Sequence, residues 1–371
     1  MHGNVERLPI PQKKVAVLLN GNARAVTEQL RRELEQFVPP EDLFFSRTFE
    51  DARSIARTVL DRGYPTVLTG GGDGTFVGYV NCLFDEVARE QPHLFVRASG
   101  GSAAAVAPRH TFRMPRFGVL RLGTGNALAE FAGASARRLG VVEDILRTRS
   151  GEVSRARALH LLHCEGKRAP FAGLGLDARI LNDYVAVKKG AAGIGKAGYF
   201  WAVATRTIPA VLAERTVPMV EVVNVGSAAR KLDWNGRPVG REIRRGELLY
   251  RGPCRIAAAG TVPCYGFGFR IFPFALRSPG QFQLRLSSMS LAQTLAQAPR
   301  IWKGITPRKG VADFLCDRVH VKFDREMPFQ IGGDAEGYRK ELELSMCDQP
   351  LELLDFNCGP LLQAHRPFAT A

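Results

Sequence analysis

Residues 66–81 read TVLTGGGDGTFVGYVN. A short β-prone, apolar run enters three glycines, an aspartate, a fourth glycine and a threonine, and a helix-compatible run follows. In a strand, bare turn and helix of this kind, main-chain N–H groups can approach an anion closely because no Cβ intervenes. The helix N-terminus adds unpaired donors and a partial positive charge, and Thr75 can cap the helix or bond a phosphate oxygen. Asp73 is the odd member: a carboxylate beside phosphates repels them unless Mg²⁺ or a donor lies between. The plain alternative is a glycine-rich turn with an aspartate cap.

A second stretch shifts the balance. LRLGTGNALAEF (120–131) repeats the sequence of strand, glycine turn and helix, and two such loops at strand C-termini face one crevice in a doubly wound sheet. Neither loop is a Walker A or a GxGxxG motif. The surrounding chain agrees. KKVAVLLN (13–20), DLFFSR (42–47), TVLT (66–69) and FGVLRLG (117–123) read as strands. Between and after them, 25–37, 49–63, 76–90, 124–133 and 137–149 have helical spacing. Strands separated by helices of this length predict βαβ units and a parallel sheet. Residues 92–116, rich in Gly, Ser, Ala and Pro, read as an insertion.

After Ser150-Gly151 the pattern changes. Alternating or β-branched runs recur at 156–164, 216–225, 254–260, 281–288, 316–324, 328–333 and 340–346, with a basic hairpin or loop at 226–252 that turns at Asn235-Gly236. One helical patch, 190–213, sits among them. The reading is an N-terminal α/β nucleotide-binding unit over 1–150 and a mainly antiparallel β-sandwich over 151–349. A last segment, 350–371, is a candidate to pack back on the first unit.

Composition narrows the partners. The chain has 371 residues, 45% apolar and 23% charged, with a net charge of +15. That length suits two globular domains, and the charge asks for an anionic partner. The basic residues are dispersed and no nucleic-acid-binding signature occurs, so nucleic acid is not expected. Seven scattered cysteines without CxxC read as reduced thiols of a cytoplasmic protein. No signal peptide is expected from MHGNVERLPIPQKK, and no apolar run is long enough to span a bilayer as a helix.

GGDGT at 71–75, Asn81 after it and GTGN at 123–126 together resemble the diacylglycerol kinase catalytic-domain family. This family holds bacterial lipid kinases and sphingosine and ceramide kinases, and is distantly similar to NAD kinases. Further segments follow in order: LLNGNA (18–23), FAGLGLDARI (171–180), GKAGYF (195–200), GTVPCYGFGFRIFPFA (260–275) and QIGGDAEGYRKELEL (330–344). The resemblance implies ATP- and Mg²⁺-dependent phosphorylation of a lipid hydroxyl, diacylglycerol or a related lipid. Asn20, Thr69, Gly71, Gly72, Asp73, Gly74, Thr75, Gly123, Thr124, Gly125 and Asn126 would bind the nucleotide, with Asp73 facing Mg²⁺–ATP. Glu336 would be the general base, supported by Asp334. The second unit would hold the lipid, and the protein would sit peripherally on an anionic membrane, with the 190–213 patch as contact and a homodimer left open.

The chain also departs from that pattern. The family's Asn-Pro turn is Asn20-Gly21, the acid after GTGN is Ala127, and Gly78 stands at a commonly acidic position. Arg157 falls where the family enters its second domain with an aspartate, and Asp-Gly-Glu has become Asp-Ala-Glu at 334–336. Pro279 occupies the acidic place of the bacterial structural magnesium site, so no structural metal is expected. Two other functions stay open: a kinase of the NAD kinase superfamily with a soluble acceptor, and a degenerate module that binds nucleotide or lipid without turnover.

Overall fold

The computed structural model describes residues 13–90, 114–179, 181–183, 205, 209, 216–266 and 268–357. Most of the 92–116 insertion, nearly all of the 190–213 patch, including GKAGYF, and residues 358–371 lie outside them.

The first part alternates as expected: β1 (Val15–Asn20), α1 (Glu28–Glu35), β2 (Leu43–Ser46), α2 (Phe49–Asp61), β3 (Thr66–Gly71), α3 (Asp73–Glu90), β4 (Arg116–Arg121), α4 (Ala127–Phe131) and α5 (Arg138–Ser150). Local chemistry sets the ends. Thr27 caps α1 by accepting from Leu30 N–H, and Thr48 with Asp51 forms a capping box on α2. Gly151, at φ 86°, closes α5 in the left-handed conformation. Helix α3 starts at Asp73, earlier than its apolar stripe suggests, so the glycine loop itself supplies the first helical turn.

The remaining elements are β5 (Ala156–Leu159), β6 (Leu162–Cys164), β7 (Lys167–Ala169), β8 (Phe171–Gly175), β9 (Met219–Asn224), β10 (Ala229–Leu232), β11 (Pro238–Ile243), β12 (Leu248–Pro253), β13 (Ile256–Gly260), β14 (Phe282–Ser287), α6 (Leu291–Trp302), β15 (Val311–Cys316), β16 (Arg318–Ile331), β17 (Asp334–Met346) and β18 (Leu351–Leu354).

The first sheet runs β2-β1-β3-β4-β18-β5. It is parallel from β2 to β18, and β5 joins antiparallel to β18. Residues 156–164, read as one strand, are two: β5 stays in the first sheet, past residue 150, while β6 pairs with β17 in the second. Both halves are apolar, so only partners distant in sequence decide which sheet each joins.

In the second sheet every pairing is antiparallel. The expected runs 316–324 and 328–333 are one long strand, β16, with bulges against β17. Its first half pairs with β9 and its second with β8, so the ladder branches there. Buried apolar side chains from both sheets form one continuous core.

Strand β1 lies between β2 and β3, so the connections after β1 and β3 leave in opposite directions. The loops after β1, β3 and β4 therefore open on one edge, at a topological switch point.

Candidate active site

Glycines at the end of β3 let the chain turn into α3 at close quarters. A Cβ on Gly71 would lie 2.3 Å from Thr75 Oγ1. That hydroxyl is held by Asn20 Nδ2 at 3.0 Å, and Thr75 N–H donates to Gly72 O at 3.0 Å. The ends of β1 and β3 are thus joined through the two polar side chains expected at the nucleotide. Thr69 is buried in β3 and donates to Gly118 O at 3.3 Å; it braces β4 and does not face the cleft.

The GTGN turn fastens itself. Asn126 Oδ1 accepts from Gly123 N–H at 2.8 Å and Asn126 Nδ2 donates to Gly123 O at 2.7 Å. This holds Asn126 at φ 55° and leaves its side chain without a capping bond to α4. Asp73 takes that place from the other loop: its Oδ2 accepts from Ala127 N–H at 3.0 Å and its Oδ1 from Leu128 N–H at 2.9 Å. Asp73, expected to face Mg²⁺–ATP, thus has its described hydrogen bonds with the start of α4. Both carboxylate oxygens are engaged, and Asp73 is buried. Burial raises its pKa, against the Leu128 and Ala127 N–H groups, which lower it. The reason is steric. Gly123 packs so tightly on Gly72 that a Cβ there would lie 2.2 Å from Gly72 Cα, and this brings Asp73 under α4. Thr124 is exposed at the tip and Gly125 faces Gly266 of the second sheet's loops.

Across the cleft, Gly332 and Gly333 turn β16 into β17 at φ 59° and 90°, a conformation that favours glycine. Asp334 follows and rests on the first turn of α3: a Cβ on Gly74 would lie 2.7 Å from Asp334 Oδ1. Solvent reaches Asp334, yet the protein packed around it raises its pKa by desolvation. Glu336 and Asp73 add to the rise, and Lys167 opposes it. Glu336 accepts from Lys167 Nζ at 2.5 Å. Lys167 is placed by Asn81: its Nδ2 donates to Arg168 O at 2.9 Å and its Oδ1 accepts from Arg168 N–H at 2.8 Å. The asparagine of the opening motif thus bridges α3 to the β6–β7 hairpin, a role no local sequence pattern displays.

Behind the turn runs a buried polar chain that sequence reading did not find. Gly333 N–H donates to Gln330 Oε1 at 3.1 Å, Gln330 Nε2 to the Tyr265 hydroxyl, and that hydroxyl to Asp177 Oδ2. Burial raises the Asp177 pKa, against its hydrogen bond from Tyr265, and Asp177 Oδ1 is buried without a partner. Arg157 pairs with Asp355, just after β18, and lies over the Phe131 ring at 4.9 Å. An acid thus does sit beside residue 157, supplied from far along the chain.

Among the described residues no three His, Cys, Asp or Glu side chains cluster to hold a metal.

Residues 14–158 match the diacylglycerol kinase catalytic domain. The resemblance read in the motifs is borne out over that stretch, which holds both glycine loops but stops short of Asp177, Tyr265, Asp334 and Glu336. No curated protein matches the chain in sequence. Among solved structures, a provisionally named diacylglycerol kinase from Bacillus anthracis str. Sterne is 14% identical with a TM-score of 0.60, covering 96% of this chain and 98% of that one. A diacylglycerol kinase from the same strain is 12% identical with a TM-score of 0.55, covering 93% and 97%. At these identities the likeness establishes the fold: an α/β unit of this kind followed by an antiparallel β-rich one.

Proposed function

We propose that the chain is an ATP-dependent kinase that phosphorylates a lipid hydroxyl, with the first sheet holding the nucleotide and the second holding the acceptor. The observation that carries this reading is the seating of Asp334 on Gly74, which sets the carboxylates of β17 directly against the glycine loop. Phosphoryl transfer needs mainly positioning and charge neutralisation, and that contact positions a base against a phosphate cradle.

The division of labour follows from the contacts. Gly71, Gly72, Gly74 and Thr75, with the N-terminus of α3, offer donors to the phosphates. Asn20 fixes the Thr75 hydroxyl. Gly123, Thr124, Gly125 and Asn126 form the opposite lip, and Asp73 locks the two lips together. The nucleotide would supply the phosphoryl group, with magnesium as its companion neutralising phosphate charge. Glu336 takes the proton of the acceptor hydroxyl, and Lys167 Nζ, donating to it at 2.5 Å, holds its carboxylate in place. Asp334 orients the turn.

The test is transfer of ³²P from ATP to a panel of diacylglycerol, sphingoid bases, ceramide and soluble acceptors including NAD. Turnover on a lipid, lost in Glu336→Gln with ATP binding retained, is expected. Turnover on a soluble acceptor alone would move the chain to the NAD kinase type of chemistry. One observation favours the degenerate reading: Arg157, where the family resemblance implies an aspartate, is tied up by Asp355. ATP binding with turnover no greater than that of Glu336→Gln would select it.

A further inference from the structure

Helix α6 exposes large apolar side chains. It was not expected from sequence, because Pro299 interrupts it and small residues blur its stripe. A capping box of Ser290 and Gln293 starts it, yet of its twelve residues only Ile301 is buried. Leu295 is 53% exposed, Trp302 50% and, just beyond the helix, Ile305 45%. Leu295 and Trp302 are two turns apart on one face. A helix that forms while leaving its large apolar residues outside has another surface to meet.

The charge pattern says which. From Met289 to Gly310 the chain carries Arg300, Lys303, Arg308 and Lys309 and no Asp or Glu. All four are exposed, and none has a carboxylate partner among the described residues; Arg308 lies over the Trp234 ring at 5.1 Å. Exposed Arg270 runs alongside Gly304 and adds a fifth cation. Exposed Leu, Trp and Ile interleaved with cations that have no carboxylate partner among the described residues, in a segment without Asp or Glu, is the chemistry of a surface that enters the headgroup region of an anionic bilayer.

Its position gives it a purpose. Trp302 packs edge-on against Phe269, ring centroids 6.0 Å apart, and its Nε1 lies 3.5 Å from where a Cβ on Gly268 would be. The same Cβ would lie 3.1 Å from Glu130 Oε1 of α4, and Gly266 faces Gly125 of the GTGN turn. The patch thus adjoins the cleft mouth.

We propose that α6 and the basic turn after it, residues 291–309, form the docking surface of this chain on an anionic lipid bilayer, holding the cleft mouth against the membrane. The proposal rests on the lipid-acceptor reading above for its purpose, but not for its measurement.

The experiment is flotation of the full chain, without ATP, on vesicles of phosphatidylcholine alone or mixed with phosphatidylglycerol. Two double variants are compared with the wild type: Arg300→Gln/Lys303→Gln and Leu295→Ser/Ile305→Ser. The expected result is binding to the mixed vesicles only, weakened by salt. It should fall about 25-fold in the charge variant, at about fivefold per cation, and about tenfold in the apolar variant. Transfer to a dispersed short-chain lipid acceptor should stay unchanged in both. Vesicle binding equal to wild type in both variants overturns the proposal. So does a concentration-dependent dimer, seen by light scattering, that either variant abolishes, since a second copy would then be the occupant. Loss of flotation in the variants with no phosphoryl transfer by wild type sinks the lipid-kinase reading and leaves the docking surface standing.

Discussion

Replacing Gly123 with alanine is the sharpest probe of the cleft, because its neighbour Gly72 supplies the control. A Cβ on Gly123 would sit 2.2 Å from Gly72 Cα, 2.6 Å from Gly72 N and 2.8 Å from Gly71 O. All three atoms are backbone, so no side chain can swing aside. Ordinary contact begins near 3.4 Å, so the two loops must separate by about 1.2 Å. Forced overpacking of this kind costs about 1–3 kcal/mol, and at this chain length about 2 kcal/mol lowers Tm by about 2.5 °C. Moving the lips apart also strains the Asp73 bonds to Ala127 and Leu128. Gly123→Ala should therefore lower Tm and weaken nucleotide binding together. A Cβ on Gly72, by contrast, meets nothing closer than Gly123 Cα at 3.7 Å, so Gly72→Ala should leave Tm within about 1 °C of wild type. Scanning calorimetry and ATP titration of both variants check this. Equal Tm for the two, or a larger loss for Gly72→Ala, would refute the backbone-on-backbone contact.

Further outcomes follow from the same contacts. Asp73→Ala removes the cap of α4 and should cost about 1–2 kcal/mol in urea unfolding; activity loss at unchanged stability would return Asp73 to a direct role at the phosphates. Gly74→Ala displaces only the Asp334 carboxylate, a flexible end, so turnover should fall while Tm holds; a drop in Tm counts against it. Lys167→Met removes the positive charge that lowers the Asp334 pKa, so the acid limb of the kcat/KM profile should move to higher pH; an unmoved limb argues that Lys167 is a bystander. The folded-state pKa of Asp177 is raised. Its contribution to stability is thus complete below its ordinary value near 3.8 and is lost as pH rises toward the folded value. Asp177→Asn lacks that loss, so its stability relative to wild type should climb with pH above about 4; urea midpoints that keep a constant difference would contradict it.

The α/β unit was legible because each of its signals is local. Capping boxes, a glycine stop and 3.6-residue stripes between β-rich runs placed β1 to α5 closely, and both glycine loops were found by residue type alone. What stayed hidden was pairing between distant residues. Asp73 looked like a group aimed at a ligand because nothing in GGGDGT shows that α4, from another loop, needs a cap. The break between β5 and β6 is invisible in ARALHLLHC, since both halves are apolar and their partners lie near residues 345 and 353. Asn81 was noticed as part of a motif, but its bonds to Arg168 depend on how the second sheet docks. The Asp177–Tyr265–Gln330 chain likewise joins three strongly separated segments.

Strand β18 has a consequence for how the molecule comes into being. It occupies the place beside β4, with Leu353 opposite Phe117, so the first sheet is completed only by residues that leave the ribosome after the whole second sheet. Until then β4 carries an open, apolar edge, with Phe117, Val119 and Leu120 along it, and such an edge recruits other strands. Loop closure over so long a separation is also slow. The segment 14–158 that matches the catalytic domain lacks that strand: expressed by itself it should aggregate through β4, and supplying a peptide of residues 349–357 in trans should rescue part of its solubility.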